Sequence, residues 1–129
     1  MSEEFQPGQI VTGIYKTGKY IGEITAIKPQ HITVRVKAVL KHPLQGDLHA
    51  PKQSDVVFFH ERRALALNEQ TNIPKTQVKP FTEDVPDYYD SLRKVVTEQI
   101  QELEQTDSDW ARASLEIFKN LENDYFKNR

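Results

Sequence analysis

Residues 31 to 40 read HITVRVKAVL, and apolar and polar side chains alternate along almost the whole stretch. The apolar side chains share one face of an extended strand, formed by Ile32, Val34, Val36 and Ala38. The opposite face is polar and comprises Thr33, Arg35 and Lys37. Because such a strand packs its apolar face on a core and leaves the other face in water, the stretch predicts a strand of an antiparallel sheet.

Two further strands are predicted before this one. Residues 20 to 27, YIGEITAI, show the same period of two in a β-rich composition, and residues 10 to 15 hold the apolar residues of a first strand. Turn residues at 16 to 19 and at 28 to 30 separate the three strands. Gly22 indicates a bend in the second strand or the close approach of another backbone.

The stretch that follows predicts a long loop and then shorter strands. Residues 41 to 55 contain two prolines, a glycine and two histidines, which is typical of a surface loop. Short strands are predicted at 56 to 59, at 64 to 67 and at 76 to 79. Five or six short, bent strands favour a small SH3-like β-barrel, because a curled sheet removes its exposed edges.

After residue 82 the spacing of apolar residues becomes helical. A first helix is expected over roughly residues 87 to 105, and its apolar stripe consists of Leu92, Val95, Val96, Ile100 and Leu103. Capping residues at 106 to 108 precede a second helix, which is expected to continue to about residue 127. Its stripe consists of Trp110, Ser114, Ile117, Phe118, Leu121 and Tyr125. The short connection predicts an antiparallel hairpin.

The predicted fold class is therefore α+β, with an N-terminal SH3-like small β-barrel in residues 1 to 81 and a C-terminal helical hairpin in residues 82 to 129. Two amphipathic helices cannot enclose a dry core, so the hairpin must bury its apolar faces on the barrel or on a second copy. Tyr88 and Tyr89 are expected to anchor the first helix to the barrel. A homodimer through the hairpins would place Ile117 and Leu121 at the contact.

The two predicted parts carry opposite charge. Residues 5 to 81 contain eleven Lys and Arg against five Asp and Glu, whereas residues 82 to 129 contain six against twelve. We expect some basic side chains of the barrel to face acidic side chains of the helices where the two parts meet. Any basic surface that the helices leave uncovered is a candidate surface for a partner.

Composition excludes several classes of protein. The absence of cysteine removes disulfides, thiol catalysis, zinc ribbons and acyl-cysteine anchors. The polar, acidic start resembles no signal segment, and no apolar run approaches the roughly 18 residues of a membrane span. We therefore expect a cytoplasmic protein without direct membrane insertion.

No constellation of residues predicts catalysis. His42, Asp47 and His49 share the long loop, but their spacing matches no zinc signature. The sequence contains no nucleophile elbow, no phosphate-binding glycine loop and no His-Glu-x-x-His helix. Residues 82 to 129 hold no histidine that could serve a helical phosphotransfer module. We expect a non-enzymatic protein without metal or cofactor.

A binding role remains, and the basic barrel supplies its candidate surface. The residues expected at a partner-binding rim are Tyr15, Tyr20, Arg35, Lys37, His42, His49, Arg62 and Arg63. The same basic face could bind single-stranded nucleic acid with Tyr15 or Tyr20 stacking on bases. Nucleic acid is the less favoured ligand, because the acidic helical part nearby would repel a phosphate backbone.

A resemblance narrows the choice of partner. Residues 58 to 74, FFHERRALALNEQTNIP, together with Val78 to Phe81, Val85 to Tyr88 and the opening Pro7 to Tyr15, resemble the kinase-associated protein B family of spore-forming Gram-positive bacteria. The resemblance covers nearly the whole chain and implies an SH3-like barrel followed by a helical subdomain. It also implies an accessory protein that supports a membrane sensor histidine kinase, or another phosphorelay protein, in the two-component signalling that initiates sporulation.

The resemblance assigns a pathway and no catalytic residue. Members of the family have been called lipoproteins, yet this sequence has no cysteine to carry a lipid. We therefore expect any membrane proximity to come from the partner.

Overall fold

The computed structural model describes residues 5–45 and 61–127, which form an antiparallel sheet followed by two helices. The strands are β1 (Ile10–Tyr15), β2 (Gly18–Ile27), β3 (His31–Lys41), β4 (Gln70–Pro74) and β5 (Val78–Pro80). The helices are α1 (Tyr88–Glu104) and α2 (Asp109–Phe126). The strand order is β4-β3-β2-β1-β5. The α+β class is confirmed, and the first three strands and both helices lie where the sequence predicts them.

The sheet is strongly curled. The pairing of β2 with β3 shifts register at three places, and such irregularities bend a strand and increase its twist. The curl brings β4 towards β1, so that a Cβ built on Gly13 would lie 2.6 Å from Cδ1 of Ile73. A first core fills the curl and consists of Val11, Ile24, Ile32, Val34, Ile73 and Val78. The five described strands thus wrap one core in the manner expected of a small barrel.

Gly22 occupies the close approach that the sequence indicates. A Cβ at this position would lie 2.5 Å from the backbone oxygen of Arg35 and 2.4 Å from Cγ1 of Val34. We expect Gly22→Ala to lower the free energy of unfolding by roughly 1–3 kcal/mol, measured by urea denaturation, because a backbone neighbour cannot rotate away. Gly13→Ala should cost less, since its nearest neighbour is the terminal methyl group of Ile73. Equal costs for the two variants would contradict this explanation.

The helical hairpin packs against the sheet around a second core, here called the helix-facing core. The sheet contributes Tyr20, Val36 and Val39, and the helices contribute Tyr88, Leu92, Val95, Val96, Leu103, Trp110, Ala111, Phe118 and Leu121. Leu121 is fully buried within this core, and Ile117 packs against it. Leu121 is therefore unavailable for the predicted contact between two copies, because its apolar surface is already covered by the same chain.

Both helices begin at side-chain caps. The carboxylate of Asp87 accepts hydrogen bonds from the backbone N–H groups of Tyr89 and Asp90, and the hydroxyl of Ser108 accepts one from Ala111. These bonds satisfy N–H groups that have no partner within the helix. Residues 84 to 86 lie before the Asp87 cap and outside the helix, and the first helical residue is Tyr88.

Three strand predictions need correction or lie outside the described residues. Residues 64 to 67 are not a strand, whereas Gln70–Pro74, where no strand is predicted, forms β4. The strand predicted at 76 to 79 begins only at Val78, after a turn of 3₁₀-helix at Lys75–Gln77. The strand predicted at 56 to 59 lies outside the described residues.

The predicted surface loop is also wrong at its start. His42, Pro43 and Gln45 are buried, the first with no exposed surface and the last 2% exposed. The reason is that the chain leaving β3 packs on α2, where the ring of His42 lies 4.8 Å from that of Phe118 and the carbonyl of Gln45 accepts from Trp110. Residues 46 to 55 of that loop lie outside the described residues.

Candidate functional site

The segment Glu61–Ala66, here called the tethered segment, is held by side chains from distant parts of the chain. Five backbone groups of Arg62, Ala64 and Leu65 bond to the side chains of Gln45, Tyr20, Tyr88 and Tyr125. In a strand these backbone groups would bond to the backbone of a neighbouring strand. Because they bond to side chains here, residues 64 to 67 do not form the predicted strand. The tethered segment crosses the protein surface as an irregular but fixed backbone.

Three tyrosine hydroxyls converge on two consecutive residues of this segment. The hydroxyl of Tyr88 donates to the carbonyl of Leu65 over 2.5 Å, and the N–H groups of Leu65 and Ala64 donate to Tyr20 and Tyr125 over 3.3 and 3.0 Å. Burial raises the pKa of Tyr20 to about 12 and also raises the pKa of Tyr88 and Tyr125. The three side chains therefore remain neutral hydroxyls that can both donate and accept.

His42 connects this network to the core. Its Nδ1 lies 2.9 Å from the carbonyl of Pro43, and its Nε2 lies 3.0 Å from the hydroxyl of Tyr125. Because a carbonyl can only accept, Nδ1 carries the proton and Nε2 accepts from Tyr125. Burial lowers the pKa of His42 to about 4, although the bond to Pro43 opposes the shift. The imidazole is thus a neutral structural group.

Gln45 bonds to the backbone of Arg62, so positions 45 and 62 are held together. Its side-chain amide accepts from the N–H of Arg62 over 2.8 Å and donates to the carbonyl of the same residue over 2.9 Å. The indole N–H of Trp110 donates to the backbone carbonyl of Gln45 over 3.1 Å. This arrangement fixes the tethered segment to α2 at the point where it enters the described part of the chain.

Two grooves flank the tethered segment. The first, here called the basic groove, has a volume of about 210 Å³ and is lined by Tyr15, Lys16, Glu61, Arg62, Arg63 and Leu65 among others. The second, here called the helix-end groove, has a volume of about 520 Å³ and includes Arg63, Leu65, Leu67, Tyr88, Tyr89 and Asp124. Arg63 and Leu65 line both, so the two grooves are adjacent.

Arg63 carries the ion pair between the two charged parts. Its Nη2 lies 2.5 Å from Oδ2 of Asp124 on α2, and its Nε lies 3.4 Å from Oε2 of Glu61. The guanidinium also lies over the ring of Tyr125, 5.6 Å from its centroid. The expectation that basic side chains of the N-terminal part face acidic side chains of the helices is confirmed at this pair, since Arg63 lies before residue 82 and Asp124 lies on α2.

Lys16 stands at the mouth of the basic groove in a strained conformation. It occupies the tight turn between β1 and β2 with φ of 56°, where a side chain costs roughly 1–2 kcal/mol and where glycine fits without strain. Its ammonium lies 5.3 Å from the centroid of the Tyr15 ring. Thr17, the next residue, accepts a hydrogen bond from the N–H of Leu44 and ties the turn to the buried stretch.

The structure brings only some of the predicted site residues together. Tyr15, Arg62 and Arg63 line the basic groove, and Tyr20 forms its floor with 1% of its surface exposed. His42 has no exposed surface. The prediction that Tyr20 and His42 form an accessible rim is therefore wrong, because both are used in core packing and in bonds to the tethered segment.

The remaining predicted residues lie elsewhere. Arg35 lies on β3, and its Nη1 is 3.8 Å from Oε1 of Glu23 on β2. The ammonium of Lys37 donates a hydrogen bond to Oδ1 of Asn68 over 2.9 Å. Both belong to the polar outer face of the sheet rather than to the grooves. His49 lies outside the described residues. Partner binding by the exposed residues of this set stays a prediction.

Sequence reasoning missed the residues that shape the site. Gln45 sits in a polar, proline-containing stretch that carries no periodic signal, and its role depends on Arg62 and Trp110, which are distant in sequence. Lys16 appears as an ordinary basic turn residue, since its positive φ is not encoded in a glycine or asparagine. The sequence places Tyr125 in a helical stripe, but it does not indicate that the hydroxyl of Tyr125 bonds to His42 and Ala64.

The described residues contain no group of three or more His, Cys, Asp and Glu side chains placed to hold a metal ion. Within the same ranges, neither helix has the length and apolar composition needed to cross a membrane. The site thus consists of two grooves with charged residues at their rims. The backbone between the grooves is fixed by hydrogen bonds from neutral side chains.

Comparison with known proteins gives a consistent result. The sequence model of the family described as Kinase associated protein B matches residues 15–126. A Bacillus subtilis (strain 168) protein named Kinase-associated lipoprotein B is 58% identical over 122 residues, or 95% of each chain. A structure described as the X-ray crystal structure of kinase-associated protein B from Bacillus cereus matches with a TM-score of 0.81 and 45% sequence identity, covering 95% of this chain and 98% of that chain. The residues that the family model matches include the tethered segment and both helices.

Proposed function

The chain belongs to the kinase-associated protein B family, and from this premise we propose that it is a non-enzymatic accessory protein that binds a sensor histidine kinase. The kinase feeds the phosphorelay that initiates sporulation, and the contact is made with its cytoplasmic part. The protein itself is cytoplasmic and comes close to the membrane through this partner.

The observation that carries the proposal is the match of the family over residues 15–126, together with the names of the relatives. Each of those names associates the relative with a kinase. The resemblance seen in residues 58 to 74 is confirmed by this match, and residues 61 to 74 of that stretch include the tethered segment and β4. The feature that first points to the family therefore also borders both grooves.

The hydrogen bonding of the buried polar side chains near the grooves supports a role without catalysis. Tyr20, Tyr88, Tyr125 and His42 are largely buried, and each has a hydrogen-bond partner in the protein. Their pKa values are shifted so that they stay neutral near pH 7. A general base must instead be free to exchange a proton with a substrate. These groups fit a structural task that keeps a binding surface in place.

The proposal is tested with the purified chain and the cytoplasmic part of a sensor histidine kinase from a spore-forming bacterium. We expect the two proteins to associate in size-exclusion chromatography and the rate of kinase autophosphorylation to change when the chain is added. An unrelated small protein of similar net charge controls for nonspecific association. Absence of association and an unchanged rate, across the sensor kinases of the same organism, would overturn the proposal.

A further inference from the structure

A third groove lies where β4 approaches β1 and the curled sheet closes, and it is here called the seam groove. It has a volume of about 460 Å³, and its lining includes Ile14, Tyr15, Lys16, His31, Asn72 and Gln77. None of the described residues of α1 and α2 lines it. The acidic helical part, which the sequence suggests would repel a phosphate backbone, therefore does not border this groove.

Lysine side chains reach the seam groove from both of its walls. Lys16 lines it from the turn after β1, and its ammonium lies 5.3 Å from the centroid of the Tyr15 ring. On the other wall, His31 and Asn72 line the groove, and Nζ of Lys28 lies 3.3 Å from Oδ1 of Asn72. Both lysines contact neutral groups, so neither positive charge is compensated by its partner.

The stretches of chain that form the walls contain no carboxylate. Residues 14–19, 26–34 and 70–78 together hold four lysines and no Asp or Glu. Within the described ranges, none of these four lysines forms an ion pair with a carboxylate. Glu23, just outside the second stretch, lies 3.8 Å from Arg35. Glu69, just before the third, accepts a hydrogen bond from the N–H of Ala66. The seam groove thus carries an excess of positive charge.

The lining of the seam groove fits nucleic acid better than protein. Lysine is depleted in the buried centre of protein–protein interfaces, where apolar and aromatic side chains are enriched. Interfaces with nucleic acid are more polar and more positively charged, and their lysines contact phosphates. Apart from Ile14, Tyr15 and Pro74, the residues that line the seam groove are polar or charged. Among them, the amides of Asn72 and Gln77 can bond to the edges of bases.

The backbone of Lys16 supplies an independent observation. This residue has φ of 56°, a conformation that glycine would adopt without strain, and its side chain is exposed. Strained residues of this kind concentrate at functional sites, where the side chain is needed in that position. The cost of placing a lysine here is explained if its charge contributes to binding.

We propose that the seam groove binds a single strand of nucleic acid, with phosphates against Lys16 and Lys28 and a base edge at Asn72 and Gln77. The two lysines stand on opposite walls, so a strand that follows the groove can place phosphates against both. The base edges of a single strand are free to bond to the amides, whereas those of a duplex are paired. This function goes beyond kinase binding and does not depend on it.

The test uses fluorescein-labelled single strands of DNA and of RNA of about 12 nucleotides, and fluorescence anisotropy measures their binding to the full chain. We expect saturable binding of at least one of them at low salt. The logarithm of its association constant should fall linearly with the logarithm of the salt concentration, with a slope of about −1.4 for two phosphate contacts. Absence of binding of both strands at low salt would overturn the proposal.

Lys28→Gln and Lys37→Gln form a matched pair of variants. Lys28 donates to Asn72, which lines the seam groove. Lys37 makes the same kind of bond to Asn68, which does not line it. Lys28→Gln should weaken binding on the order of threefold and make the salt slope less negative by about 0.7, whereas Lys37→Gln should change neither. Equal losses in the two variants would show a diffuse effect of charge and contradict the proposal.

Lys16→Gly separates binding from stability. The substitution removes both the charge and the strain, so binding should weaken on the order of threefold while the melting temperature rises. Lys16→Gln removes the charge alone and should weaken binding by the same factor without raising the melting temperature. Binding as tight as that of the original chain in both variants would rule out a phosphate contact at Lys16 and with it the proposed site.

A glutamate-rich peptide of the same length distinguishes the class of partner. If it binds as tightly as the oligonucleotide, with the same dependence on Lys28, the groove receives an acidic protein segment and the proposal fails. The proposed function is tested separately. If a kinase associates with the chain while neither oligonucleotide binds, the proposed function stands and the seam groove assignment fails. If an oligonucleotide binds through Lys16 and Lys28 while no kinase associates, the reverse holds.

Discussion

Replacing Phe118 with alanine is expected to lower the free energy of unfolding by roughly 3–5 kcal/mol. Phe118 has no exposed surface, and its ring centroid lies 4.8 Å from that of His42. The side chain sits where α2 meets both the sheet and the buried stretch after β3, so its loss leaves a cavity that neighbouring elements cannot close independently. Equilibrium denaturation with urea, followed by circular dichroism, measures the loss.

The matched control is Ile117→Ala on the same helix. Ile117 is only partly buried, so its replacement should cost roughly half as much. The single tryptophan, Trp110, reports on the helix-facing core, and its fluorescence should change in the same transition as the circular dichroism. Separate transitions, or equal losses for the two variants, would contradict a core shared by sheet and helices.

Local periodicity explains which elements could be predicted from the sequence. Residues 31 to 38 alternate strictly, and both helices repeat apolar residues every three to four positions, so each element identifies its own buried face. Asp87 and Ser108 add local cap signals. These features depend on neighbours in sequence, and the structure places the elements within a residue or two of the expectation.

The wrong strand assignment at 64 to 67 has a nonlocal cause. Ala64 to Leu67 are apolar, but the backbone groups of Ala64 and Leu65 bond to tyrosine hydroxyls from β2, α1 and α2. The N–H of Ala66 donates to the carboxylate of Glu69. β4 is not among the predicted strands, because Ile73 is its one buried residue and no apolar alternation marks it. Its pairing with β3 is decided by the curl of the sheet rather than by its composition.

The sequence predicts which types of residue form the candidate site, but it does not predict which of them lie together. The excess of basic residues before residue 82 directs attention to Tyr15, Arg62 and Arg63, which the fold then gathers in one groove. Their grouping depends on Gln45, whose amide bonds the backbone of Arg62. No pattern in a single sequence predicts the contact between Gln45 and Arg62. The contact depends on Trp110, which bonds to Gln45 and is distant from both in sequence. The division at residues 81 and 82 stays a prediction.

Lowering the pH from 7 to 4 is expected to remove roughly 3 kcal/mol of stability through His42 alone. Burial lowers the pKa of His42 from its usual 6.5 to about 4. Between these two values the unfolded chain binds a proton that the folded chain does not, so acid favours unfolding. The loss begins as the pH falls through 6.5 and levels off below 4. Urea denaturation at a series of pH values measures it.

The comparison that isolates this contribution is between the original chain and His42→Gln. Asp and Glu side chains also titrate in acid, but they are common to both proteins, so the difference in pH dependence belongs to His42. The variant should be less stable at pH 7 and should lose less stability on acidification.

The physical reason lies in the hydrogen bonds of the imidazole. A second proton on Nε2 would point at the oxygen of Tyr125, which already accepts from the N–H of Ala64 and whose own hydrogen would need another acceptor. Protonation of His42 therefore disturbs the tether of Ala64 as well as the core. We expect acid to weaken the tethered segment first, seen as faster amide exchange at Ala64 than in α1 as the pH approaches 4, after correction for intrinsic exchange rates. Equal protection at both places would show that His42 affects only global stability.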